Sequence, residues 1–168
     1  QGTTLEQAKK VLQEHRIEKL LVVDNSGSLA GLITVKDIQK KEDFPHACKD
    51  DSGRLRVGAA LSVTKDFLER AQELHSKEVD VIVVDTAHGH SVGVLDQIKK
   101  IKKSMPELQI IGGNIATSDG TKALIDAGAD CVKVGIGAGA SCTTRIIAGI
   151  GVPQLTAVME CVDEAKKG

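Results

Sequence analysis

Residues 134–145 read VGIGAGASCTTR, an apolar stretch that opens into three alternating glycines and then presents Cys142. Glycine lets backbone approach closely and adopt angles closed to other residues, so Gly135, Gly137 and Gly139 mark a loop shaped around something. A thiol displayed by such a loop, just past the C-terminal end of a strand, has the makings of a nucleophile. The alternation could aim successive carbonyls at a monovalent cation, or amides at an anion. It lacks the third spacing of the dinucleotide fingerprint. Two further groups stand out. Asp85 opens DTAHGHS at 85–91, where a carboxylate can accept two hydrogen bonds from a ribose diol. The plainer alternative is that Asp85 caps the next helix and the histidines are solvated. His88 and His90 find no third ligand at a metal-like spacing, so no metal is expected there. Gly112, Gly113 and Asn114 project a polar side chain from another strand end, or simply make a tight turn.

The elements that must carry these groups follow from periodicity. From Leu55 onward the pattern alternates strand and helix, with strands expected at 55–60, 80–85, 109–113 and 131–135 and helices at 64–77, 91–104, 117–127 and 154–166. Strands that start about 22–29 residues apart have the rhythm of βα units on a parallel sheet. Their Val/Ile-rich, two-sided apolar character fits a sheet covered by helices. Asp85, Asn114 and the 135–142 loop then share one face, at the C-terminal strand ends where such folds build their sites. Four units are half of an eight-stranded barrel.

Before Leu55 lies a different pattern. Residues 3–15 predict a helix capped by Thr3 or Thr4, Leu20–Val23 and Leu29–Val35 predict strands around a turn at 25–28, and Lys36–Lys41 begins a short helix. This α-β-β-α unit of 1–41 is small for an independent core. The polar stretch that follows, with Pro45 and the turn DDSG at 50–53, predicts a linker over 42–54 before the α/β region of 55–168.

Composition limits the function classes. A net charge of −1 argues against an obligate nucleic-acid binder, and only Phe44 and Phe67 are aromatic, so base stacking is poorly served. Apolar runs fall short of the ~20 residues of a membrane span. No secretory signal opens the sequence, so a cytoplasmic protein with reduced thiols is expected. Of the four cysteines, Cys131 in an apolar strand and Cys161 on a helix read as packing residues, while Cys48 lies in the polar stretch.

Several motifs in order also carry a resemblance: LRVGAA at 55–60, VDTAHGHS at 84–91, IIGGNIAT at 110–117, VKVGIGAGASCTTR at 132–145 and GVPQ at 151–154. Residues 55–168 resemble inosine-5′-monophosphate (IMP) dehydrogenase, a (β/α)8-barrel family that oxidises IMP to xanthosine monophosphate (XMP) with NAD. Residues 1–41 resemble the end of the CBS-pair module that this family inserts into its barrel to bind adenine or guanine nucleotides. The resemblance implies that Cys142 is the nucleophile adding to the hypoxanthine ring and that Thr144 sits beside the reacting purine. It implies a cofactor groove at Asp85, Thr86, Ala87, Asn114, Gly135, Ile136 and Gly137, with Ala140, Ser141 and Cys142 facing the substrate. The carbonyls of Gly137, Gly139 and Cys142 match the family's potassium positions, and relatives assemble as tetramers.

Two departures accompany the match. The family loop reads Gly, Pro, Gly, Ser, Ile, Cys, whereas Ala138, Ala140 and Ser141 replace Pro, Ser and Ile. Losing proline loosens the loop, and losing the serine hydroxyl removes a contact expected for the IMP phosphate, worth roughly 1.5–3 kcal/mol. The family's later phosphate loops and catalytic flap have no counterpart in the 168 residues, which predicts an internal portion of such an enzyme that alone does not turn over. Guanosine monophosphate (GMP) reductase shares the cysteine loop; the CBS-like start and the His88/His90 pair favour the dehydrogenase. A non-catalytic alternative is a nucleotide-sensing or oligomerising piece, because a half barrel exposes sheet edges.

Overall fold

A computed structural model describes residues 4–167 and divides into two compact units, one ending at Leu55 and one starting at Arg56. In the first unit, helix α1 (Leu5–His15) starts at a capping box: Thr4 Oγ1 accepts from the Gln7 amide while Gln7 Oε1 accepts from the Thr4 amide. Strands β1 (Lys19–Val23) and β2 (Leu29–Thr34) pair antiparallel. Their turn is organised by Asp24, whose carboxylate accepts from the amides of Ser26 and Ser28 and from the Ser26 hydroxyl. Helix α2 (Val35–Asp43) begins at a second capping box formed by Thr34 and Asp37 and contains the expected helical start at 36–41. Thr3, the alternative cap for α1, lies outside the described residues. The segment expected to be a linker makes its own turn, closed by a Lys49–Leu55 bridge and by Arg54 on Asp50.

The second unit is a four-stranded parallel sheet in the order β3 (Gly58–Leu61), β4 (Val81–Asp85), β5 (Gln109–Ile115), β6 (Cys131–Val134). Helices α3 (Phe67–Ser76), α4 (Val92–Ser104), α5 (Ser118–Asp126) and α7 (Gln154–Ala165) follow the strands in turn, with a short α6 (Thr144–Ile147) before α7. The strand–helix alternation expected from Leu55 onward is therefore what forms. Two aspartates set register at the N-terminal edge. Asp80 Oδ2 accepts the Val57 amide at 2.7 Å, and Asp130 Oδ2 accepts the Ile110 amide at 2.7 Å. Each joins the start of one strand to its neighbour, so a slip by one residue would strand a carboxylate.

The core of this unit lies between sheet and helices and includes Ile82, Val84, Ile98, Ile101, Ile110, Ile115 and Leu124. Gly112 makes room for it, since a Cβ there would sit 2.9 Å from Ile98 Cδ1. Three expectations need correction. Residues 55–57 are not strand; Val57 is tied down by Asp80 and stays exposed, and β3 starts at Gly58. The strands are not uniformly apolar on both faces: β6, at one edge of the sheet, alternates exposed and half-buried positions. Cys131, read as a packing residue, accordingly lies exposed at the start of β6, whereas Cys161 is buried on α7 as expected. Among the described residues no helix is long and apolar enough to cross a membrane.

Candidate active site at the strand ends

The C-terminal ends of β4, β5 and β6 are clasped to one another by hydrogen bonds. The Thr86 amide and hydroxyl both donate to the Gly113 carbonyl at 2.9 Å, and the Asn114 amide donates back to the Thr86 carbonyl at 2.8 Å. The Gly89 amide donates to the Asn114 carbonyl at 2.7 Å. On the other side, Asn114 Nδ2 donates to the Gly135 carbonyl at 3.0 Å, and the Gly135 amide donates to Ile115. The approach is close enough to demand glycine: a Cβ on Gly113 would stand 2.6 Å from Lys133 Cβ. Asp85, Asn114 and the cysteine loop are thus brought to one face.

Asp85 does not cap α4, whose N-cap is Ser91. Its Oδ1 instead accepts from Lys133 Nζ at 2.7 Å, both side chains being about half exposed, with each at 44%. Such an exposed pair contributes little stability, in the range of about 0–1 kcal/mol, so its effect is positional. Ala87, His88 and His90 are exposed around Asp85, and no group of three metal-ligating side chains occurs among the described residues. Asn114 Oδ1 is buried and has no hydrogen-bond partner in the structure. A buried acceptor left open costs free energy until a donor reaches it.

In the cysteine loop the first two glycines are required by geometry. Gly135 has φ 139° and Gly137 has φ 69°, and a Cβ on Gly137 would fall 2.5 Å from the Ile150 carbonyl oxygen. Gly139 meets only ordinary contact, with Cys142 Cβ at 3.4 Å. The loop is anchored behind by the Val152 amide on the Ile136 carbonyl at 3.0 Å and by Gln154 Nε2 on the Val134 carbonyl at 3.0 Å. Ala138, Ala140 and Ser141 are exposed and Cys142 is half-buried at its tip. Hydrogen bonds from the Thr144 side chain and backbone hold the Cys142 thiol below its ordinary pKa, and the nearby Arg145 charge adds to this. More thiolate at neutral pH makes a better nucleophile.

Two side chains of the site were not singled out from sequence. Lys133 interrupts an otherwise apolar strand, and that interruption was the available signal. Arg145 donates from Nη1 to the carbonyls of Gly137, at 2.6 Å, and of Gly139, at 2.7 Å. Only the fold brings it back over the loop.

Comparison with known proteins identifies the family. The model of the IMP dehydrogenase / GMP reductase domain matches residues 3–168. An inosine-5′-monophosphate dehydrogenase of Bacillus subtilis (strain 168) is 58% identical over 166 residues, covering 99% of this chain and 34% of the relative. One from Staphylococcus aureus (strain Mu50) is also 58% identical over the same coverage. The chain therefore spans about a third of the length of the curated relatives it matches. Among solved structures, GMP reductase from Trypanosoma brucei in complex with guanosine 5′-triphosphate superposes with a TM-score of 0.83 at 41% identity, covering 99% of this chain and 40% of that one.

Proposed function

Because this chain belongs to the IMP dehydrogenase / GMP reductase domain family, we propose that it carries the nucleophile and part of the cofactor groove of a site that oxidises IMP to XMP with NAD. The observation that carries the reading is the Cys142 thiol, acidified by Thr144 and displayed beside the clasped strand ends. Its thiolate adds to C2 of the hypoxanthine ring. NAD, when bound, accepts the hydride that leaves C2. The resulting thioimidate on Cys142 is opened by water to release XMP and restore the thiol. Thr144 holds the sulfur as thiolate before attack and receives it again as leaving group, so the same donor serves both halves of the cycle.

The residues at the strand ends fit a dinucleotide. Asp85 gives one oxygen to Lys133 and has the other for a ribose hydroxyl, and the open acceptor on Asn114 awaits a donor. Thr86, Ala87, Gly135, Ile136 and Gly137 border them. Ala140 and Ser141 flank Cys142 on the substrate side, and the missing hydroxyl at Ala140 weakens the hold on the phosphate. Gly137, Gly139 and Cys142 supply the carbonyls for a potassium ion, which would keep the loop in register. The first unit, read as part of a CBS-type module, would bind an adenine or guanine nucleotide; the second unit, read as part of a (β/α)8 barrel, would belong to a homotetramer.

Mixing the intact protein with IMP and NAD and following absorbance of NADH tests this. NADH appears, and Cys142→Ala abolishes it while leaving the fold intact. Consumption of GMP with NADPH, and no NADH from IMP, would establish the reductase reading that the 41% identical neighbour raises. Ala140→Ser lowers KM for IMP by about tenfold, consistent with one hydrogen bond to a charged group.

A further inference from the structure

Asp85, Gly113 and Lys133 stand in one rank across three strands: Asp85 pairs with Gly113 between β4 and β5, and Gly113 pairs with Lys133 between β5 and β6. Residues in one rank of a sheet share a face, so the middle member decides whether the outer two can meet. Glycine leaves the middle empty. Two strand spacings are roughly 10 Å, a gap that a lysine and an aspartate close only with nothing standing between them. Lys133 Nζ reaches across and donates to Asp85 Oδ1 at 2.7 Å. There is no slack for a larger middle residue: a Cβ on Gly113 would stand 2.6 Å from Lys133 Cβ and 2.6 Å from the Lys133 carbonyl oxygen. The neighbouring clasp among Thr86, Gly113 and Asn114 closes without the lysine side chain, and an exposed ion pair adds little to stability. The fold does not need this bridge.

We propose that Lys133 is a positioning residue for the dinucleotide and acts through Asp85, holding Oδ1 so that Oδ2 is the oxygen left to accept a ribose hydroxyl. An exposed carboxylate at a strand end has two side-chain torsions to settle. The ammonium fixes one oxygen, so the carboxylate is ordered before the ligand arrives. It also cancels the Asp85 charge, which would otherwise oppose the approach of a ligand carrying a pyrophosphate. An ammonium is a compact point charge with rotatable donors, and it holds a single oxygen without claiming both. The proposal rests on the reading of Asp85 as a ribose acceptor given above. It assigns Lys133 no contact with the cofactor, which separates it from a direct binding role.

Titrating the intact protein with NAD, followed by saturation-transfer NMR, gives a dissociation constant without turnover. Lys133→Met keeps the aliphatic stem over Gly113 and removes the ammonium. It weakens NAD by about tenfold, the size of one hydrogen bond to a charged group. The rate at which iodoacetamide labels Cys142, read by mass spectrometry of its peptide, stays within about twofold, because the strand-end clasp is intact. Lys133→Arg restores NAD affinity to within about threefold of wild type, since the charge returns. Asp85→Asn also weakens NAD, and adding Lys133→Met to it costs less than about a further twofold, because nothing remains to be positioned. Effects that multiply in the double variant show a direct contact of Lys133 with the cofactor and overturn the proposal. Equal NAD affinity in wild type and Lys133→Met overturns it alone, whereas a wild-type protein that does not bind NAD overturns it together with the cofactor reading. A methionine variant that unfolds overturns it too, because the fold would then need the bridge.

Discussion

The two units hold their helices by opposite means. In the first unit, α1 and α2 each begin at a complete capping box, and the turns are tied by Asp24 and Asp50. Its buried apolar residues among those described are few: Ala8, Leu12 and Ile38. Much of the β1–β2 hairpin is open, with Leu21 65% and Leu29 68% exposed. In the second unit the caps at Asp66, Ser91 and Pro153 make no side-chain hydrogen bond, and only Thr117 does so at α5. There the helices are kept by burial, with Ile82, Ile98, Ile101 and Ile110 all at 0% exposure. Short helices are marginal in water, so each must be secured either by local hydrogen bonds or by packing. The difference teaches that a unit with little core places its stability in sequence-local devices, and one with a large core can leave its helix ends bare.

Cutting the core should show this most strongly. Ile98→Ala removes a fully buried side chain and costs the second unit about 2–5 kcal/mol, measured as a lower denaturation midpoint. Next comes the strand-end clasp. Gly113→Ala pushes a methyl into Lys133 and costs about 1–3 kcal/mol, with the site distorted as the labelling rate of Cys142 reports. A local device is worth less: Thr34→Ala loses the cap of α2 and costs about 1 kcal/mol, read in the unfolding of the first unit. If Thr34→Ala proved as costly as Ile98→Ala, the contrast between the units would fail.

Acid sharpens the same contrast. Hydrogen bonds from Ser26 and Ser28 lower the Asp24 pKa, those from Thr34 lower that of Asp37, and Arg54 lowers that of Asp50. A depressed carboxyl pKa adds stability that is fully present above the unfolded value of about 3.9 and is lost as pH falls through the folded value. Protection of the Ser26, Ser28 and Arg54 amides against exchange should therefore collapse below about pH 4, while the Asn114 amide of β5, which donates to the Thr86 backbone carbonyl, holds longer. Smallest of all, Leu21→Ser on the exposed hairpin face should change stability by no more than about 0.5 kcal/mol. A larger loss would mean that the face is covered in solution.

Much of this was legible beforehand because it depends on neighbours in the chain. The βα rhythm, the hairpin with its turn at 25–28 and the displayed cysteine all follow from residues within a few positions of each other. The misreadings came where sheet position decided the outcome. Cys131 and Val132 look alike as apolar residues, and Cys131 is exposed because β6 lies at a sheet edge. The plainer alternative for Asp85, a helix cap, does not form, because Lys133, 48 positions away, takes its carboxylate.

The sequence by itself determined the parallel α/β pattern of the second unit, the hairpin of the first, and the display of Cys142 on a glycine-spaced loop. These rest on periodicity and on glycine's freedom, both of which act over a single element. Tertiary structure alone decided that Asn114 keeps an open acceptor, that Lys133 pairs with Asp85, and that Arg145 fills the convergence of the Gly137 and Gly139 carbonyls. Each requires strand ends or loop segments to meet in space. A residue's spacing along the chain specifies which element it joins, whereas its partner is chosen only when sheet and loops close around it.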